Sequence, residues 1–199
     1  MSVSKSPTEA SSAARTASVA GSQTGLAGRV ILESAGIRRA TTRIAHEILE
    51  RNRGADSIAL VAIVQGGVPV ADMLAESLRE IGDTAVLRGV LDITLYRDDV
   101  IGHGKRPIPG KTWMPFSVAG ERVVLVEDVV FTGRTVRSAM DAVIDFGRPE
   151  VIQVATLVDR GHRELPIRVD FVGKNIPTSR AEKVVLRQNQ RGEYEVVVI

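Results

Sequence analysis

Val123-Val124-Leu125-Val126-Glu127-Asp128-Val129-Val130-Phe131-Thr132-Gly133-Arg134-Thr135 decides how this chain folds. Four apolar residues suited to a strand buried on both faces run into two adjacent carboxylates, and then into a small polar turn. A buried strand thus delivers charge at its carboxyl end. Beyond the turn, Val136, Ala139, Met140 and Val143 recur at helical spacing, so residues 132–135 form the mouth of a helix. There, unpaired backbone N–H groups and the helix dipole favour an anion. Gly133 admits close approach of a phosphate, and the hydroxyls of Thr132 and Thr135 can donate to its oxygens. With Glu127 and Asp128 a few residues away, the stretch suits a ligand that carries a phosphate at one end and vicinal hydroxyls in the middle, a ribose 5-phosphate unit. Ordinary helix caps use some of the same residue types; it is the thirteen positions together that favour the phosphate cradle.

Outward from this stretch, strands alternate with helices. Arg29–Leu32 reads as a short strand, with Glu33-Ser34 as a turn or cap. From 35 to 53, Ile37, Ala40, Ile44, Ile48 and Leu49 share one helical face, while Arg38, Arg39, Thr42, Arg43, His46 and Arg51 mostly occupy others. A solvated face laced by Glu47 and Glu50 accounts for that pattern without any ligand. Ile58–Val64 is a second buried strand, closed by Gln65-Gly66-Gly67 and followed by an amphipathic helix that starts at Pro69. This loop suits the diphosphate end of the ligand, or is merely a tight turn; the pattern leaves both open. Residues 86–95 are strand-like. Residues 101–116 hold Gly102, Gly104, Pro107, Pro109, Gly110 and Pro115, plus His103, Lys105, Arg106 and Lys111, and show no apolar period; they read as a lid hairpin whose cations close over a diphosphate. Val151–Val158 is another buried strand, 167–172 is strand-like, and 193–199 reads as a terminal strand. The pattern implies an α/β fold whose central, mainly parallel sheet is flanked by helices and binds ligands at its carboxyl edge.

Composition sets outer limits. The 199 residues, 44% of them apolar, provide for one domain (28–199) behind a leader (1–27) that is rich in Ser, Ala, Thr and Gly. The leader reads as a disordered extension, with an organellar transit peptide as the other reading. The absence of cysteine excludes disulfides and thiolate metal sites and fits a cytoplasmic location. A net charge of +2 does not announce a nucleic-acid binder. Charge is local instead: between Leu157 and Arg187, seven Lys and Arg face four carboxylates. No stretch suits a membrane span.

The apolar strand, acidic pair and Thr-Gly-Arg-Thr turn resemble the phosphoribosyltransferase signature, which binds 5-phosphoribosyl 1-diphosphate (PRPP). Asp159–Arg168, Phe171–Ser179, Asp92–Asp99, Thr42–Glu47 and Gly133–Arg137 narrow the resemblance to the PyrR family of pyrimidine operon regulators and uracil phosphoribosyltransferases, over about residues 29–188. The resemblance implies a type I phosphoribosyltransferase fold with a flexible lid hairpin and a small hood. It implies conversion of uracil and PRPP to UMP and diphosphate with Mg2+ near Glu127 and Asp128, and binding of a pyrimidine operon mRNA leader when UMP or UTP occupies the site. It places Glu127, Asp128 and Arg97 at the chemistry. PRPP or UMP falls on Gln65, Gly66, Gly67, Val129, Val130, Phe131, Thr132, Gly133, Arg134 and Thr135. The uracil pocket falls on Asp159, Arg160, Gly161, His162, Val172 and Lys174. RNA falls on Thr42, Arg43, His46 and Arg51, with Arg160, Arg163 and Lys174 as further members. A homodimer or higher oligomer completes that face. Two departures stand out: Gln65-Gly66-Gly67 replaces the family's usual Thr-Arg-Gly, removing a guanidinium, and Glu127 replaces an aspartate. An RNA-binding UMP sensor with little catalysis, and a purine-type phosphoribosyltransferase, are the other readings.

Overall fold

Strand after strand with a buried apolar run needs a helix on each side to cover it, and the computed structural model, which describes residues 28–64, 66–83, 85–96 and 112–199, supplies them. The elements are β1 (Arg29–Leu32), α1 (Ser34–Asn52), β2 (Ile58–Ile63), α2 (Gly67–Gly82), β3 (Leu87–Leu91), β4 (Arg122–Val130), α3 (Arg134–Ile144), β5 (Val151–Asp159), β6 (Phe171–Asn175), β7 (Val184–Gln188) and β8 (Tyr194–Val198). Five of them form a sheet in the order β3-β2-β4-β5-β6, parallel throughout. The order reverses beside the paired β2 and β4, which is where such sheets open a crevice at their carboxyl edge.

Successive side chains of β2 and β4 go to opposite faces. Leu60, Ala62, Val124 and Val126 pack under α1 and α2 with Ile44, Ile48, Leu74 and Leu78. Val61, Ile63, Val123 and Leu125 pack under α3 with Ala139, Ala142 and Val143. The helix α1 begins without a side-chain cap at Glu33 and ends on Arg53, whose left-handed backbone returns its N–H to the last-turn carbonyls. A second sheet, β1-β8-β7, antiparallel, stands over β6 and α1 as the hood. The strand β7 had no signal in the sequence reading.

Three expected boundaries shift. The helix α2 starts at Gly67, two residues before Pro69, because a Cβ on Gly67 would lie 2.2 Å from the Val126 carbonyl oxygen and only glycine lets the first turn approach β4. The strand expected over 86–95 stops at Leu91, where the Asp92 carboxylate accepts from the Thr94 N–H and hydroxyl and turns the chain. The strand expected over 167–172 instead begins at Phe171, because Asp170 spends its backbone N–H and its carboxylate on Val154, and it then runs on to Asn175. The leader 1–27 and the lid residues 101–111 lie outside the described residues; of the rest of the expected lid, Trp113 forms an antiparallel bridge to Val90. Among the described residues no helix is long and apolar enough to cross a membrane.

Candidate active site

At the carboxyl end of β4 the chain turns through Phe131 and Thr132 into Gly133, whose φ of 91° is left-handed, and α3 starts at Arg134. A Cβ there would also lie 3.2 Å from the Ile167 side chain, so glycine is required on two counts. Gly133 has no side chain to cap α3, and the Arg134 N–H at its mouth donates to the Thr132 hydroxyl at 3.4 Å, so the turn and the helix start face the cleft together. Glu127 and residues 129–135 line a cleft of about 290 Å³. The cradle expected from the sequence is thus an open cavity at a helix mouth.

The two acids do not converge from one side. Strand alternation turns Glu127, 9% exposed, toward the cleft, and Asp128 toward the mouth of α2. There the Asp128 carboxylate lies against Gly66, so closely that a Cβ on Gly66 would sit 2.2 to 2.3 Å from all three carboxyl atoms. The glycine that replaces the family's arginine therefore makes room for Asp128. Burial pushes the Asp128 carboxyl up from its ordinary value, while the N–H groups of Val129 and of Asp128 itself pull it down. The acids straddle the end of the strand, one beside each loop nominated for phosphate. Gln65 and Arg97 lie outside the described residues. Chain leading to Arg97 is anchored on α3, where the Tyr96 hydroxyl donates to Asp145 at 2.6 Å and Ser138 donates to the Tyr96 carbonyl at 3.0 Å.

Residues 159–167 wrap the back of the cradle. The N–H groups of Glu164 and Leu165 donate to the Thr132 carbonyl, and Arg163 donates to the Phe131 carbonyl at 2.7 Å and to Asp159 at 2.6 Å. Gly161 donates to Asp159 at 2.8 Å. His162, left-handed at φ 57°, places Nε2 2.5 Å from the Thr178 carbonyl oxygen and its ring edge-on to Phe131. Arg134 pairs with Glu164 at 3.0 Å. Sequence reasoning missed Ile167, Glu164 and Thr178 as parts of this site; their only signal was proximity to a basic run that looked like surface.

Corrections follow for the uracil and RNA residues. Arg160 is 8% exposed: its guanidinium stacks 4.1 Å from the Phe131 ring and donates to Thr178 Oγ1, the Ser179 carbonyl and the Glu182 carbonyl. With these contacts it ties the cradle to the hood approach. Burial pushes the pKa of its guanidinium down from the ordinary value, and the Glu182 carboxylate opposes that shift. The Val172 side chain packs below the cradle beside Val130 and Val136, so only its backbone can wall a base. Lys174 sends its ammonium away, to the Ile31 carbonyl at 3.1 Å. Arg163 is spent on the cradle as described. Asp159, Gly161 and His162 remain around the expected base site. On α1, Thr42, Arg43 and His46 are exposed along one groove with Arg38 and Glu50, and Arg51 follows a turn later, paired with Asp170 at 3.2 Å.

Residues 30–186 match the family model of the phosphoribosyl transferase domain. The chain is 60% identical over 159 residues to the bifunctional protein PyrR of Geobacter sulfurreducens, covering 80% of this chain and 90% of that one. It is 55% identical over 170 residues to the bifunctional protein PyrR of Pelotomaculum thermopropionicum, covering 85% and 94%. Among solved structures, a hypoxanthine phosphoribosyltransferase of Trypanosoma cruzi superposes with a TM-score of 0.66 over 86% of this chain and 90% of that one, at 19% identity, which speaks for the fold.

Proposed function

Because the chain belongs to the phosphoribosyltransferase family, and within it to the family of the bifunctional PyrR proteins, we propose that it joins uracil to PRPP, releasing diphosphate, and that the UMP formed licenses binding to a pyrimidine operon mRNA leader. The observation that carries this reading is the cleft at the mouth of α3, where a left-handed glycine, the Thr132 and Thr135 positions and the start of a helix stand beside Glu127. A 5-phosphate fits there whether the sugar arrives as PRPP or stays as UMP, so one cradle serves both catalysis and sensing.

In the transfer, the bond from C1 of the ribose to diphosphate breaks and a bond from C1 to a uracil nitrogen forms. Positive charge develops on the ribose ring, and Glu127 and Asp128, placed on either side of the strand end, stabilise it. A Mg2+ ion brought in by the diphosphate would meet Asp128, which lies beside the loop before α2, while Glu127 faces the cleft on the other side of the strand end; the described residues contain no group of three His, Cys, Asp or Glu to hold a metal by themselves. Such an ion supplies charge neutralisation for the leaving group. Asp159, Gly161 and His162 bound the base. Thr42, Arg43, His46 and Arg51 meet the RNA, in a cytoplasmic homodimer or higher oligomer.

The second reading, an RNA-binding UMP sensor with little turnover, is favoured by Gly66, which offers no guanidinium to the diphosphate at the position where the family usually has arginine. An assay of UMP formation from uracil and PRPP, with and without Mg2+, separates the two. UMP formation that requires Mg2+ and falls roughly 10²- to 10³-fold in Asp128→Asn supports the enzyme. A protein that binds UMP and leader RNA but makes no UMP is the sensor, and preference for hypoxanthine over uracil contradicts the uracil assignment.

A further inference from the structure

The phosphate turn takes its shape from the segment behind it. Residues 163–167 meet residues 131–134 nearly one for one. Arg163 Nη1 donates to the Phe131 carbonyl at 2.7 Å, and the N–H groups of Glu164 and Leu165 donate to the Thr132 carbonyl at 3.0 and 3.3 Å. The Ile167 side chain lies 3.2 Å from where a Cβ on Gly133 would fall, and Glu164 pairs with Arg134.

A trans peptide is planar, with its carbonyl and the N–H of the next residue pointing in opposite directions. Holding the Phe131 and Thr132 carbonyls toward 163–165 therefore turns the Thr132 and Gly133 N–H groups the other way, into the cleft lined by Glu127 and residues 129–135. Among the described residues neither N–H has a protein acceptor. Two successive donors are thus aimed at the place assigned to the 5-phosphate.

Backbone groups hold the Thr132 carbonyl, whereas a side chain holds that of Phe131. The same guanidinium is fixed by its other contacts: Nε donates to the Ile167 carbonyl at 3.1 Å, Nη1 reaches the Gly161 carbonyl at 3.3 Å, and Nη2 bonds Asp159 at 2.6 Å. The fork joins the ends of β4 and β5 and closes the 161–167 loop on itself. We propose that Arg163 is a positioning residue for the nucleotide's 5-phosphate, acting through the Phe131–Thr132 peptide, whose N–H it directs into the cleft. The proposal rests on the function proposed above, in which a ribose phosphate occupies that cleft. A guanidinium also draws an anion by its charge alone, and lysine separates the two effects. It keeps the charge, but a single ammonium cannot serve Phe131, Ile167 and Asp159 together.

Calorimetric titration of the full chain with UMP and with uridine tests this on wild type, Arg163→Lys, Arg163→Ala and Arg168→Ala, the last removing a cation from the same segment. Arg163→Lys and Arg163→Ala are expected to bind UMP about 5- to 10-fold more weakly, with uridine, which lacks the phosphate, within about twofold of wild type and Arg168→Ala unchanged. In amide NMR spectra, UMP is expected to move the Thr132 N–H downfield in wild type and much less in Arg163→Lys, whose spectrum also shows that it is folded. Wild-type UMP affinity in Arg163→Lys overturns the proposal, since charge alone then suffices. An equal loss of UMP and uridine in that variant overturns it too, leaving Arg163 as a brace of the whole loop. A wild type that does not bind UMP overturns the proposed function itself.

Discussion

Gly133 concentrates the site into one residue. Its left-handed φ and the 3.2 Å approach of Ile167 to any added Cβ make Gly133→Ala costly by about 1–3 kcal/mol, measurable in urea unfolding, and this variant is expected to weaken UMP binding because the cradle must open. Asp128 makes the opposite kind of prediction. Burial raises its carboxyl, so the folded chain holds that proton more tightly than the unfolded chain does. Stability therefore falls as pH rises from the unfolded value through the raised one, and stays lower above it. Asp128→Asn removes the penalty: its Tm at slightly alkaline pH is expected to equal or exceed that of wild type, the difference fading at acidic pH, while UMP formation collapses. A lower Tm at alkaline pH contradicts the assignment of burial as the cause. At this scale the sequence was informative about identity but not surroundings: the acidic pair was legible and strand alternation alone separates its members, but the loop that each one meets was not, because only the position of Gly66 shows what Asp128 packs against.

Among the elements, the β4–α3 unit was fully legible, since a double-faced apolar strand, a glycine turn and a helical period are all local signals. The strand β7 and the late start of β6 were not, because short edge segments take their structure from partners far along the chain, β8 for one and β5 for the other. Arg160 illustrates the same limit. Its locally basic neighbourhood pointed to the uracil pocket and RNA, whereas its stack on Phe131 and three acceptors around residues 178–182 make it a strut between cradle and hood. Arg160→Ala is expected to cost roughly 2–3 kcal/mol in urea unfolding, since it removes the stack on Phe131 and three hydrogen bonds of a buried charged group. Arg160→Lys should recover less than half of this, because an ammonium cannot reproduce the planar stack and fork. Full recovery in the lysine variant would mean that charge alone is needed there.

Across the whole molecule, the reactive cleft lies at the carboxyl edge of the sheet and the cationic groove on α1 at its flank, joined by β6. This separation predicts that Thr42→Ala and His46→Ala weaken binding to leader RNA, in gel-shift titrations, while leaving the rate of UMP formation within about twofold of wild type. A parallel loss of catalysis would place those residues in the reaction instead. The architecture itself was readable from the alternation of strands and helices; what the alternation could not give was the hood, built from the two ends of the chain that meet only after folding. The central claim is that a ribose phosphate lies across the end of β4. A crystal structure with UMP tests it most directly: the account predicts the 5′-phosphate on the backbone N–H groups and hydroxyls of residues 132–135, with the ribose hydroxyls toward Glu127 and Asp128. A phosphate bound elsewhere, or a cradle closed by its own side chains, would contradict it.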